Sequence, residues 1–172
     1  MNHSEHLSKQ YDSDLEDVRS RVLQMGGLVE AQILAAIDCF TTGDHDKVSQ
    51  VEEAEFRVNA YEVEIDDMCV HVVAKRQPAA RDLRLIMGVS KAVTDLERMG
   101  DEAEKIARMA KLLSQKERLN LPRFHEIKHA SDIALDMLRK SLDAFARLDL
   151  STAAQVVRMD EQVDEDFRSI MR

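Results

Sequence analysis

Turn-forming residues are scarce in this chain, which has 5 glycines and 2 prolines in 172 residues. A β-sandwich or barrel reverses direction every ten residues or so and needs far more of both. Aromatic residues are also few, at 4%. Basic residues are outnumbered, 24 against 33 acids, for a formal charge of −9. That sign argues against a nucleic-acid partner and against anionic membrane surfaces, because no basic surplus exists to neutralise phosphates. There is no glycine-rich phosphate loop and no CxxC pair. Cys39 and Cys69 lie in apolar helical stretches and read as small buried hydrophobes in a reducing compartment. No run of eighteen apolar residues occurs, and Met1 to Gln10 is polar. A soluble, cytoplasmic protein is expected.

What remains is 33% charged and 44% hydrophobic residues, the blend of long packed helices. The fold class is therefore all-α. The length suffices for one good-sized core or two small ones. Apolar residues at three- and four-residue spacing (Val18, Val22, Met25, Val29, Ile33, Ala36, Ile37, Phe40) predict a first helix from about Glu5 to Thr42, stopping at Gly43. Gly26-Gly27 inside it suggests a kink or a close helix approach. Asp44 caps a second helix, which Gln77-Pro78 ends because the residue before proline is pushed out of the α region. A third helix runs from about Ala79 to Ser114, and a polar connector reaches Pro122. A fourth spans about Arg123 to Arg147. A fifth, capped by Asp149, Ser151 or Thr152, is still periodic at Arg172.

A shift of 105 residues superposes Asp38 on Asp143, Phe40 on Phe145, Asp44 on Asp149, Val51 on Val156, Val58 on Val163 and Ile65 on Ile170. One constant offset without a gap reads as a tandem repeat of a three-helix unit. The first unit would occupy 1–116 and the first two helices of a second unit 120–172. An open apolar groove is then expected where a sixth helix would lie, a surface that favours a homodimer.

Some acids fall where a core should be. At about 100° per residue, Glu97 and Glu104 lie on the apolar stripe of the third helix, and Asp101 at its edge. On the second helix, with Val58 as zero, Glu62 lies between about 30° and 50°, Glu55 about 60° away at the stripe's margin and Asn59 further round. On the fifth, Asp160 and Asp164 take the angles of Glu55 and Asn59. Buried carboxylates need basic partners, shared protons or a cation. Glu55, Asn59, Glu62, Glu97 and Asp101 are expected to converge between helices two and three. Such an oxygen-only cluster suits a hard divalent or iron-type ion; Mg, Mn, Fe and Zn are the candidate cofactors. A ferritin-like di-iron site is excluded, because only one Glu-x-x-His motif occurs (Glu126, His129) and it faces solvent. With no nucleophile and base at workable spacing, no enzyme is expected.

The stretch from Arg76 to Arg108, RQPAARDLRLIMGVSKAVTDLERMGDEAEKIAR, resembles the central signature of the PhoU family of bacterial phosphate-signalling proteins. Gln77, Pro78, Asp82, Leu83, Arg84, Leu96, Glu97, Arg98, Gly100 and Asp101 match it, and Met25-Gly26-Gly27 and Asn59 with Glu62 are similar to family positions. The resemblance implies two tandem three-helix bundles and a cytoplasmic negative regulator of phosphate uptake and the starvation response. It implies an adaptor between a phosphate ABC transporter ATPase and a membrane sensor histidine kinase. It also implies metal binding through Glu/Asp-xxx-Asp motifs, which Glu97-xxx-Asp101 and Asp160-xxx-Asp164 fit. Glu55-xxx-Asn59 departs from the motif, with an amide in place of an acid. A carboxylate-rich metal-binding or metal-storage protein is the alternative.

Overall fold

The computed structural model describes residues 3–44, 46–114 and 124–170. The five expected helices are all present: α1 His3–Thr42, α2 Asp46–Arg76, α3 Ala80–Ser114, α4 Phe124–Arg147 and α5 Leu150–Ile170. No strand occurs among the described residues. The connector to Pro122, Arg123, the last residues to Arg172 and the side chains of Phe167 and Ile170 lie outside them.

The first three helices pack pairwise on one another in an up-down-up order. Ion pairs fix the antiparallel sense. Asp14 near the start of α1 meets Arg76 at the end of α2 at 2.9 Å, and Asp38 meets Lys47 at 2.6 Å. The buried seam positions alternate at three and four residues: 18, 22, 25, 29, 32, 36 and 39 on α1, with Gly26 buried beside them, and 86, 89, 93, 96, 100, 103, 107 and 110 on α3. On α2 they are 48, 51, 55, 58, 65, 69 and 72. This is the heptad seam of supercoiled helices. It divides the core in two. Val22, Met25, Val58, Ile65, Val89 and Val93 belong to the larger cluster. Ala36, Cys39, Val51, Ala103, Ala107 and Ala110 form the smaller, alanine-rich one.

By length and composition α1 alone among the described residues could cross a membrane. Its apolar seam, however, is packed against α2 and α3, as in the core helix of a bundle.

Each helix end has a local cause. Gly43 (φ 70°) returns its N–H to the Cys39 carbonyl at 3.0 Å, an αL cap. Gln77 leaves the right-handed α region as expected, taking φ 47° and donating to the Val73 carbonyl at 3.2 Å. The proline disfavours right-handed helix at Gln77, and the left-handed cap satisfies a carbonyl that an extended residue would leave open. Leu148, the repeat counterpart of Gly43, adopts φ 54°. There Asp149 N–H bonds the Ala144 carbonyl at 2.9 Å in a Schellman arrangement. Asp149 is the residue that caps α5, accepting from the Ser151 N–H at 2.8 Å and the Thr152 hydroxyl at 2.7 Å.

Helix α4 lies on α1, and α5 on α4. Close approach is possible because Gly26 has no side chain; a Cβ there would sit 2.7 Å from Leu142 Cδ1. Glu30 and Arg139 bridge the pair at 2.6 Å, Arg19 bonds the Ala146 carbonyl, and Leu138 enters the larger core cluster. Gly26 thus serves a helix contact, Gly27 faces open space, and α1 is continuous through both. An apolar groove of about 510 Å³ opens between α3, α4 and α5, lined by Leu96, Met99, Leu138, Leu142, Val156 and Val163 among others.

Candidate functional site

The two core clusters meet at a polar layer made by one residue from each of the first three helices. Gln32 and Glu55 are the only polar side chains buried among the described residues, at 1% and 6% exposure. Gly100 is the α3 member of the same layer. Gln32 Nε2 donates to Glu55 Oε2 at 2.7 Å, to the Gly100 carbonyl at 3.2 Å and to the Val51 carbonyl at 3.4 Å. Three acceptors around one amide nitrogen determine which end of the amide it is. Gln32 Oε1 is buried with no hydrogen-bond partner. A Cβ on Gly100 would stand 2.7 Å from Glu55 Oε2 and 2.9 Å from Gln32 Oε1, so the layer has room only for glycine.

Against this layer lies a carboxylate cluster. Glu55, Glu97 and Asp101 bring oxygens within 4.8 Å of one another. Asn59 Nδ2 donates to the other oxygen of Glu55 at 3.1 Å. Burial pushes the Glu55 carboxyl above its ordinary range; the Gln32 hydrogen bond opposes this, while Asp101, Glu104 and Glu97 add to it. Glu97 is raised by burial, then by Asp101 and Glu62. Glu62 is raised by burial and by Asp66. The neighbouring cations are exposed and lie closer to acids outside the trio. Lys105 is 4.0 Å from Asp101 but 2.8 Å from Glu102, and Arg108 binds Glu104 at 2.7 Å. The result is an oxygen-only donor set with excess negative charge, the kind that takes a hard cation.

The placement corrects the angular reading. Glu97 and Glu104 are half-buried beside the α3 seam and do not occupy it; Leu96, Gly100 and Ala103 do. On α2 the order is reversed, since Glu55 is the fully buried acid and Glu62 is half-buried. On α3 the cause is the period: these helices follow a 3.5-residue seam, and counting at 3.6 drifts by about 20° per heptad. Glu55 and Glu62 lie one heptad apart and share a seam position, so what separates them is packing: Gln32 and Gly100 lie against Glu55. The cluster gathers Glu55, Glu97 and Asp101, with Asn59 bound to Glu55. Glu62 stays outside the trio and acts on Glu97 through charge alone. Asp160 and Asp164 are exposed on α5, apart from the trio, and Asp164 pairs with Arg168 at 3.4 Å. Arg98 forms an exposed pair with Asp95 at 3.6 Å. Sequence reading passed over Gln32; its signal is a polar residue at a heptad core position of an otherwise apolar seam.

Comparison with known proteins agrees with this architecture. The PhoU domain family model matches residues 22–110 and 127–172. The chain is 44% identical over 168 residues to the phosphate-specific transport system accessory protein PhoU homolog of Pseudomonas putida, covering 97% of this chain and 65% of that protein. It is 40% identical over 172 residues to the accessory protein PhoU of Escherichia coli K12, covering 100% of this chain and 70% of the relative. The chain thus spans about two thirds of the length of these curated relatives. The crystal structure of PhoU from Pseudomonas aeruginosa superposes with a TM-score of 0.90 at 42% identity, over 94% of this chain and 77% of that one. The structure of the phosphate transport system regulatory protein PhoU from Streptococcus pneumoniae shares the fold, with a TM-score of 0.83 at 24% identity over 92% and 74% of the two chains. With its helical order, its α3 signature and these matches, the chain belongs to the PhoU family.

Proposed function

We propose that this protein is a cytoplasmic regulator of phosphate transport, and not an enzyme. It restrains uptake and the phosphate-starvation response by contacting a phosphate ABC transporter ATPase and a membrane sensor histidine kinase. The single observation that carries this reading is family membership, with the Leu96-Glu97-Arg98-x-Gly100-Asp101 signature in place on α3. We place a three-helix repeat at 1–116 and two helices of a second at 120–172, and take the protein as a homodimer. Deleting the gene in phosphate-replete cells is expected to switch on phosphate-starvation genes. Unchanged expression would sink the assignment. A pull-down from membranes, repeated with Glu97→Ala/Asp101→Ala, tests the adaptor role.

The carboxylate trio supports a second element of the reading. Glu55, Glu97 and Asp101 would hold a divalent or iron-type ion, Mg, Mn or Fe in preference to Zn because no nitrogen or sulfur ligand joins the trio. Bound there, the ion would neutralise the acids that face one another between α2 and α3. Metal analysis of the purified protein, incubated with Mn or Fe, is expected to show bound metal that the Glu97→Ala/Asp101→Ala variant lacks. Equal content in both would leave the acids a packing role. A metal-storage protein would instead load metal and leave phosphate-gene expression untouched on deletion.

A further inference from the structure

We propose that Gln32 is a positioning residue for the carboxylate cluster, holding Glu55 in the orientation from which it binds a cation. The proposal rests on the metal reading above and adds a residue of α1 to a site built from α2 and α3. Three observations carry it. Gln32 sits in the core seam at 1% exposure, where a glutamine is costly unless its polar atoms are used. Its Nε2 bonds one element from each neighbouring helix, at 2.7 Å to Glu55 and 3.2 Å to the Gly100 carbonyl. Its Oε1 has no partner. A core serving stability alone would favour apolar side chains at both Gln32 and Glu55, which avoids the orphaned oxygen and the buried carboxylate together. The repeat supplies that comparison: Met137 occupies the equivalent position on α4, and the exposed Asp160 takes the position of Glu55.

The geometry explains how the residue acts. Glu55 Oε2 is tied by Gln32 and Oε1 by Asn59, so the carboxylate plane is held from both sides. Ligand carboxylates are commonly oriented by such outer hydrogen bonds, and losing one costs about 10- to 100-fold in metal affinity.

The test uses the whole chain and Mn²⁺ alone, titrated calorimetrically, together with thermal unfolding of the metal-free protein. Gln32→Met should keep the helical fold, melt at a lower temperature without metal because the buried Glu55 oxygen loses its donor, and weaken Mn²⁺ binding at least about tenfold. Gln32→Met added to Glu55→Ala should weaken binding no further than Glu55→Ala alone, because Gln32 acts through Glu55. Unchanged affinity in Gln32→Met, or additive losses in the double variant, overturns the positioning role. Failure of the unmodified protein to bind Mn²⁺ or Fe²⁺ overturns the metal reading itself, and this proposal with it, before any variant is measured. Should Gln32→Met unfold, Gln32→Asn, which keeps the amide on a shorter stem, carries the same comparison.

Discussion

Glu55, Glu62 and Glu97 each take up a proton more readily when folded than when unfolded, burial being the first cause in all three. Their contribution to stability is therefore full below the ordinary glutamate range and is lost as pH rises through the raised folded value. Asp14 and Asp149 behave in the opposite way. Burial alone would raise Asp14, but hydrogen bonds from Gln10 and Arg76 outweigh it and hold the carboxyl low. Asp149 is lowered by the Thr152 hydroxyl and the backbone N–H groups it caps. Their contribution is lost only in more acid solution. The metal-free protein should thus melt at a higher temperature near pH 5 than at pH 7.5, then weaken below about pH 4. Glu97→Gln should flatten the first slope and leave the second, as a series of thermal melts in chelator would show. Gly100 is the other residue with a sharp expectation. Gly100→Ala presses on two buried, hydrogen-bonded side chains that have nowhere to move, and should cost about 1–3 kcal/mol in urea unfolding.

Among the helices, the repeat makes a natural comparison at the α1 and α4 ends. Gly43 takes φ 70° without steric penalty, whereas Leu148 holds φ 54° with a Cβ and a side chain that is mostly exposed. A left-handed non-glycine residue costs about 1–2 kcal/mol, and little burial is lost on removing this leucine. Leu148→Gly is therefore expected to stabilise the chain by about 0.5–1 kcal/mol, after the greater entropy of unfolded glycine is counted. A lower urea midpoint would show that Leu148 makes an unrecognised contact. The docking of α4 is open to a double substitution. Gly26→Ala gains about 1 kcal/mol in helix propensity but drives a methyl into Leu142, an overpacking worth about 1–3 kcal/mol. Leu142→Ala in the same chain should recover part of the loss, and that coupling is read from a double-mutant cycle.

For the molecule as a whole, the groove of about 510 Å³ is the feature with a solution signature. Val51 and Val58 are fully buried on α2, while their counterparts Val156 and Val163 on α5 are only half-buried along this groove. Apolar surface of that kind binds environment-sensitive dyes such as ANS and favours association. A chain extended to the length of its Pseudomonas putida relative is expected to bind less dye than this one. Equal fluorescence from the two would mean that the additional segment leaves the groove open.

Composition and punctuation alone determined the all-α class, four helix ends within a residue or two, the repeat and the signature on α3. Those features depend on local chemistry: turn residues, caps and apolar spacing act within a few residues of themselves. The identity of the clustered acids was legible for the same reason, since Glu97 and Asp101 share a helix face. Which acid would be buried was decided only by tertiary packing. Supercoiling of α1, α2 and α3 sets the period at 3.5, which puts Glu97 at the edge of its seam. Glu55 is buried in preference to Glu62, one heptad on, because Gln32 and Gly100 lie against it. Gln32 is the clearest case. On its own helix it is one polar residue in an apolar seam, and its meaning comes from Glu55 and Gly100, brought to it from 23 and 68 residues away. Partners at that distance leave no periodic trace in a single sequence, so only the folded chain could reveal them.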